Sequence, residues 1–512
     1  MGDNTSSNKR IAKNTFFLYG RMIIVLLVSL YTTRVVLNVL GIVDYGVYNV
    51  VAGFVSMFAF LNNAMTNTTQ RFYNFEKKTS TIECRQSTFI TALQIQVFLS
   101  IVILILIETI GLWYINEKMV IPAERLTAAN YVFQFSAISL IILVLQIPYS
   151  AAIISHEKMD YFAVVSIIDV LLKLVLVLFL PHVSYDKLVF YGMASMFISI
   201  INFFLYYIYC KKFFEEIRFK WTYNSSKFKE MLSFTGWNVF GSFAFMIQGQ
   251  GLNVLMNAFF GPVVNAARAV SYQIQSALSG FSENIATAFR PQLVGSYAEE
   301  NYDRTRALMF AMSKFCFVML CALSVPIVVE LHFILDIWLK GTIPEYTFIF
   351  TIFVLLNMLV GSLNMPISQT VQATGKVRDY QLIRSVLITM TLPIAWFVLK
   401  LGAAPTSVFA VMVVISLLNQ PLSMAILHRH FTFSYKSYAN KVLVPCALFL
   451  LCSPCPPLLI KHIMQESSLR FCSVVFVSII TSIIVTFFFV LDKRERIVAR
   501  EMLVKFKRTH MK

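Results

Sequence analysis

Charge is scarce in this sequence. Asp, Glu, Lys and Arg make up 13% of its 512 residues, roughly half the share of an ordinary soluble domain. Long polar segments are scarce too. The longest, KKFFEEIRFKWTYNSSKFKEML, fills only 211–232. No GxxxxGK[ST] loop occurs, which excludes nucleotide hydrolysis of the Walker type. The seven histidines form no cluster with metal-ligand spacing. His428 and His430 are close, but nothing else joins them. No metal or organic cofactor is expected. The first apolar run is too long for a signal-peptide core, and no A-x-A site follows it, so it reads as an uncleaved helix. The eight cysteines fall mostly inside apolar runs. Cys452 and Cys455 have redox-motif spacing without a second pair, and read as small packing residues.

What is present is apolar surface. The chain is 58% hydrophobic, with a mean hydropathy of +0.70. One water-soluble core cannot hold that much, so the class is an all-α polytopic membrane protein. Spans of about twenty apolar residues are expected at 15–40, 45–73, 87–115, 127–155, 161–181, 187–210, 233–259, 263–294, 307–334, 345–374, 381–401, 405–428, 441–461 and 470–491. The net charge of +17 takes its meaning from placement. With the N-terminus inside, 29 Lys and Arg fall on inward segments and 7 on outward ones. That asymmetry is a topology signal with both termini cytoplasmic, and it makes a nucleic-acid partner an unneeded explanation.

The segment 211–232 is charged, inward and central, and divides the chain into halves. The expected domains are six helices in 1–212, six in 213–435, and two added helices with a basic tail in 436–512. An internal echo supports this. LNVLGIVDYGVYNVV returns as MNAFFGPVVNAARAVS about 220 residues later, with Arg71 and Arg290 at nearly matching places. Halves of six spans begin on the same side, as parallel repeats do.

Seven basic residues remain within spans: Arg21, Arg34, Arg71, Lys173, Arg268, Arg290 and Lys314. With Arg268 as origin and 100° per residue, Asn265, Tyr272, Gln275, Ser279, Ser282, Glu283 and Arg290 all fall within about 60°. Such a polar seam suits a wet interior rather than lipid. In the second span Asn67, Asn63, Ser56 and Asn49 flank Arg71 similarly. Arg21 and Arg34 lie roughly 220° apart on an ideal helix, and each sits near a span end where it could snorkel. Asp169 and Lys173, four apart, are expected to pair. Pro366, amid NMPISQTVQATG, marks a candidate broken helix. The in-span charge that remains is positive, which suits an anionic cargo. Arginine's planar fork suits phosphate above all.

The stretch RVVLNVLGIVDYGVYNVV (34–51), TQRF (69–72) and QATGKVRDY (372–380) resemble bacterial polysaccharide-export proteins. These are the Wzx-type lipid-linked oligosaccharide flippases of the multidrug/oligosaccharidyl-lipid/polysaccharide (MOP) exporter superfamily. The resemblance implies two six-helix, MATE-like bundles around a central cavity in the bacterial inner membrane. It implies that undecaprenyl-diphosphate-linked oligosaccharide moves from the cytoplasmic to the outer leaflet, alongside the polymerase or glycosyltransferases of the same pathway. Candidate diphosphate and glycan contacts are then Arg21, Arg34, Arg71, Arg268, Arg290, Asn67 and Gln275. Glu283 and Asp169 are candidates for proton or ion coupling. No catalytic or metal residue is expected. In related lipid flippases the last two helices hold the lipid tail, a role open to 441–491. A MATE-like multidrug or cation antiporter is the alternative, and a membrane glycan ligase or polymerase the enzymatic one. The first span carries no acid, unlike drug- and sodium-coupled relatives, and no long outward loop carries enzyme chemistry.

Overall fold

In hydrocarbon a backbone must satisfy its own N–H and C=O groups, and for apolar runs of this length only the helix does so. The protein is described by a computed structural model covering residues 2–56, 59–79, 81–117, 121–217, 224–339, 343–492 and 495–497, with some side chains inside helices excepted. Among the described residues there is no strand. The helices are α1 (Gly2–Ser56), α2 (Ala59–Thr79), α3 (Ile82–Leu106), α4 (Leu126–Ser155), α5 (Met159–Phe179), α6 (Lys187–Phe213) and α7 (Ser225–Ala298). They continue as α8 (Tyr302–Val329), α9 (Leu331–Leu339), α10 (Thr347–Thr374), α11 (Arg378–Thr389), α12 (Thr391–Lys400), α13 (Thr406–His428), α14 (Val444–Cys452), α15 (Cys455–Ile463) and α16 (Ser468–Val485). Among the described residues, eleven helical segments are long and apolar enough to cross a membrane, and each overlaps one expected span. The other three expected spans lie in α1, α2 and the far part of α7. The chain is a multi-pass membrane protein.

The 74-residue α7 would reach about 110 Å if straight. It is not straight. Arg268 donates from Nη1 to Asn253 Oδ1 at 3.1 Å and from Nη2 to the Gly249 carbonyl at 2.8 Å. Residues fifteen apart on a straight helix are separated by about 22 Å. The chain therefore doubles back between 253 and 268, a stretch containing Gly261 and Pro262, and its two arms correspond to the seventh and eighth expected spans. The region from α1 to α2 behaves likewise. Leu18 packs with Ile154 and Met159, Leu40 with Leu180, and Asp44 meets Arg125 at the other end of α4. Tyr73 is back among Tyr149 and Ala152.

The chain forms two units, residues 1–243 with 287–301, and residues 244–286 with 302–512. Both ends of α7 belong to the first unit and its middle to the second. The first unit is built on α4, whose Val132, Phe133, Ala137 and Val144 are fully buried. Gly192 of α6 sits so close that an added Cβ would lie 3.2 Å from Val132 Cγ2. At the α4 start, Arg125 clamps Asp44 (Nε to Oδ1, 2.7 Å) and Asp186 (Nη1 to Oδ2, 2.6 Å). Asp186 also caps α6 by accepting from the Leu188 and Val189 N–H groups.

The second unit centres on Leu252, Met256, Phe350, Val354, Phe409 and Met412. Its α10 runs through Pro366 without a break, against expectation, and ends at Gly375 with φ +77°, a left-handed cap that favours glycine. Asn364, two residues before the proline, donates to Ser423 Oγ at 3.2 Å and ties α10 to α13. The helices α14 to α16 are tied to this unit through charge. Arg470 reaches Glu330 at 2.7 Å, Lys461 reaches the Val329 carbonyl at 2.8 Å, and buried Lys314 reaches Glu495 at 2.7 Å. All eight cysteines are free thiols, Cys452 and Cys455 included.

Candidate functional site

A guanidinium among apolar helices needs a partner, because desolvating an unpaired charge is costly. How each in-span arginine is satisfied therefore separates structural from functional positions.

In the first unit α1 carries Arg21 beside α5. Its Nη1 donates to Ser166 Oγ at 3.3 Å, and its guanidinium lies 5.0 Å from the Phe162 ring centroid. Its Nε is buried without a hydrogen-bond partner. No carboxylate of the described residues is within ion-pair distance. Asp169, one turn on from Ser166, is already engaged. It accepts from Lys173 Nζ at 2.8 Å and from Asn202 Nδ2 at 2.6 Å. The pairing expected from the i, i+4 spacing is present.

Arg71 is different. It is 8% exposed, with the rings of Phe72, Phe75 and Phe234 at 4.5, 5.2 and 5.4 Å, and Glu230 at 3.9 Å. Around it the two ends of α7 are seated on α2. Arg290 donates to Gln70 at 2.6 Å. Asn238 reaches Thr68 at 3.5 Å. Lys227 bridges Glu76 at 2.8 Å and the Cys84 carbonyl at 3.0 Å, and Glu76 also accepts from Thr88. Gln292 donates to Glu157. Arg71 and Arg290 are thus brought together in a polar belt that fastens α7 to α2. Asn67 is half-buried one turn before Arg71.

Arg268 belongs to the second unit. Besides its bonds to Asn253 and Gly249 it lies 4.6 Å from the Tyr272 ring centroid, and no described carboxylate pairs with it. Gln275 is half-buried and Glu283 exposed on the same arm. The Arg34 side chain lies outside the described residues. Sequence reasoning missed Arg384 of α11, whose guanidinium covers Phe245 at 4.5 Å. It also missed the Asp44–Arg125–Asp186 clamp and the Glu330–Arg470 pair. The last had a signal: an acid within an apolar run demands a cation somewhere.

The second unit also holds an apolar groove of about 560 Å³ between α9 and α16, lined by Phe333, Ile337, Trp338, Phe471 and Cys472 among others. In size it falls within the range of small-molecule sites.

No protein-family model matches the chain, and no curated protein matches it. Solved structures do. An outward-facing multidrug resistance MATE family transporter of the MOP superfamily superposes with a TM-score of 0.71 at 14% identity, over 83% of this chain and 96% of the other. A MATE protein in complex with MaD3S gives 0.68 at 14% identity over the same shares. A MOP superfamily transporter from Pyrococcus furiosus Vc1, whose reversed binding-pocket polarity suggests a different function, gives 0.65 at 14% over 81% and 96%. The fold is therefore MATE-like, as the resemblance implied.

Proposed function

We propose that the protein is a flippase that carries undecaprenyl-diphosphate-linked oligosaccharide from the cytoplasmic to the outer leaflet of the inner membrane, with both termini in the cytoplasm. One observation carries the reading. Arg21 and Arg268 are held by hydroxyl, amide, carbonyl and aromatic groups, with no carboxylate at ion-pair distance among the described residues. Each keeps a formal positive charge that a phosphate would neutralise through paired hydrogen bonds. A cation-exporting site would place carboxylates there instead. The reverse polarity of the binding pocket in the Pyrococcus furiosus transporter, which suggests a different function for that protein, is compatible with this reading.

The physical task is to move a polar headgroup through a region where lipid gives it no hydrogen bonds. Arginines on the helices supply countercharge while the isoprenoid stays among apolar groups, for which the groove beside Trp338 is suited. Access alternates as bundles rock, the motion that parallel repeats support. Two negative charges leaving an inside-negative cell gain about 4.6 kcal/mol per 100 mV, so the potential alone can bias export. Glu283, exposed on the second arm of α7, is the site we assign to any ion coupling, since Asp169 already holds Lys173.

Deleting the gene is expected to leave lipid-linked glycan on the cytoplasmic leaflet. Arg268→Ala should fail to clear it, and wild type should clear it fully. Normal glycan export in the deletion strain, with no accumulation, counts against the proposal. So does efflux of an organic cation by the purified protein with no effect of Arg268→Ala.

A further inference from the structure

We propose that Arg384 is a second anion-binding residue, acting with Arg268 so that each guanidinium takes one phosphate of a diphosphate. The proposal rests on the flippase reading and names a residue that reading does not include. In the sequence Arg384 counts only among the inward basic residues near the loop after α10. The structure places it elsewhere. Its guanidinium lies 4.5 Å from the Phe245 ring centroid and 5.6 Å from that of Tyr380. Tyr380 is itself fixed, being 1% exposed and donating from its hydroxyl to Asn364 at 3.2 Å.

Phe245 stands on the first arm of α7, the arm that Arg268 grips at Gly249 and Asn253. Residues 245, 249 and 253 are spaced by four. They share one side of the helix within about 80°, each step rising about 6 Å. The two arginines are thus anchored to successive turns, one from α11 and one from the second arm. The approach of α11 and α12 is fixed by a hydrogen bond from Gln248 to Thr391 at 2.9 Å. It is also fixed by Leu392, which packs where a Cβ on Gly251 would lie only 2.7 Å away. The arm is open at the residue Arg268 grips: a Cβ added at Gly249 would meet nothing within 4 Å.

The charges are unspent. Among the described residues neither arginine has a carboxylate within ion-pair distance, and Arg384 makes no hydrogen bond, its Nε being buried without a partner. A guanidinium stacked on rings is attracted by their faces, and that contact uses none of its in-plane N–H groups. One arginine suffices for one phosphate. Two held on the same arm of α7 can take one phosphate each through charge-assisted bonds, which favours a diphosphate over the single phosphate of an ordinary lipid headgroup.

The test uses the purified full chain in detergent, with farnesyl diphosphate and farnesyl monophosphate as probes and thermal unfolding as the fold control. Wild type is expected to bind the diphosphate at least about tenfold more tightly, one charge-assisted contact's worth. Arg384→Ala should erase that preference, weakening the diphosphate about 10- to 100-fold and the monophosphate by less than about threefold. Arg384→Lys, which keeps charge without the fork, should fall between. If Arg384→Ala unfolds, Arg384→Gln, which can still lie on the Phe245 ring, decides in its place. Loss on Arg268→Ala with wild-type diphosphate affinity in the folded Arg384 variants overturns this inference and leaves the flippase reading standing. Wild type binding neither probe overturns both.

Discussion

At the scale of single residues, this protein holds arginine in three ways. Arg125 and Arg470 are matched to carboxylates. Arg71 is enclosed by three phenylalanine rings with Glu230 at the edge of reach. Arg21, Arg268 and Arg384 are held by neutral groups alone. The first two arrangements have a carboxylate within ion-pair distance. The third has none among the described residues, and this sorts the sequence candidates by chemistry instead of by position. Arg71→Lys should therefore act on stability, because an ammonium cannot lie flat against three rings at once. A loss of about 1–2 kcal/mol is expected from weakened cation–π contact, read as a lower unfolding midpoint in detergent. Arg268→Lys should leave that midpoint near wild type and reduce transport. Equal effects of both substitutions on stability would erase the distinction. The wheel that placed Arg268 on a polar seam was informative, because a seam is a property of one helix. Arg384 was illegible for the opposite reason. A basic residue two turns from a loop looks like a topology charge, and only the return of α11 against α7 shows that it points at an aromatic ring.

At the scale of elements, the structure adds helix caps that the span pattern did not mark. Asp186, Asn224 and Ser467 each precede a helix and each accepts from a first-turn N–H, as short polar residues do at that place. Pro366 predicted a broken helix, yet α10 continues through it to Thr374, since a proline costs the helix one bond, to the carbonyl four residues before it. For the attachment of α14 to α16 the acid Glu330 signalled that a cation was needed, but which one depends on partners far apart in sequence. Glu330 is wholly buried and Arg470 nearly so. Glu330→Ala strands a guanidinium and should cost about 3–5 kcal/mol, whereas Glu330→Leu with Arg470→Leu should recover most of that loss. Urea or thermal unfolding of the four combinations gives the coupling directly, and additive losses would show that the pair does not anchor the hairpin.

Two carboxylates outside the membrane-spanning segments set a pH dependence at the same scale. Burial works to raise Asp186, but hydrogen bonds from Arg125 and the Val189 and Leu188 N–H groups, with the Arg125 charge, hold it below the ordinary range. Burial likewise works to raise Glu216, and is outweighed by the hydrogen bond and charge of His156, which is stacked on Phe214. A carboxyl lowered on folding binds its proton less readily in the native state. Its contribution is complete above the unfolded value of about 4 and is lost as pH falls through the lower native value. Stability should therefore drop steeply below about pH 4, and Asp186→Asn and Glu216→Gln should each flatten that drop while lowering stability at neutral pH. An unchanged acid limb in both variants would remove these groups from the account.

At the scale of the whole molecule, the question is what must move. The fourteen spans were readable because hydrocarbon thickness fixes span length and the positive-inside bias fixes parity. The internal echo pointed to a repeat for the same kind of reason. The division of the chain inside α7 was not readable, because it depends on which side chains the two ends of that helix meet. Those ends are fastened to α2 in the first unit by Asn238 on Thr68, Arg290 on Gln70, Lys227 on Glu76 and Glu230 beside Arg71. If cargo enters by alternating access through these segments, the belt is expected to part in each cycle. Beside its polar bonds it holds one aromatic contact, Phe72 on Phe234 at 5.7 Å. Replacing Thr68 and Asn238 together by cysteine places two thiols where a 3.5 Å side-chain contact now stands, close enough for a disulfide. Oxidation of that variant should stop clearance of lipid-linked glycan, and reduction should restore it, while neither single cysteine responds to oxidant. Full transport by the cross-linked protein would mean that the α2–α7 belt stays shut throughout the cycle and that access to the arginines opens elsewhere.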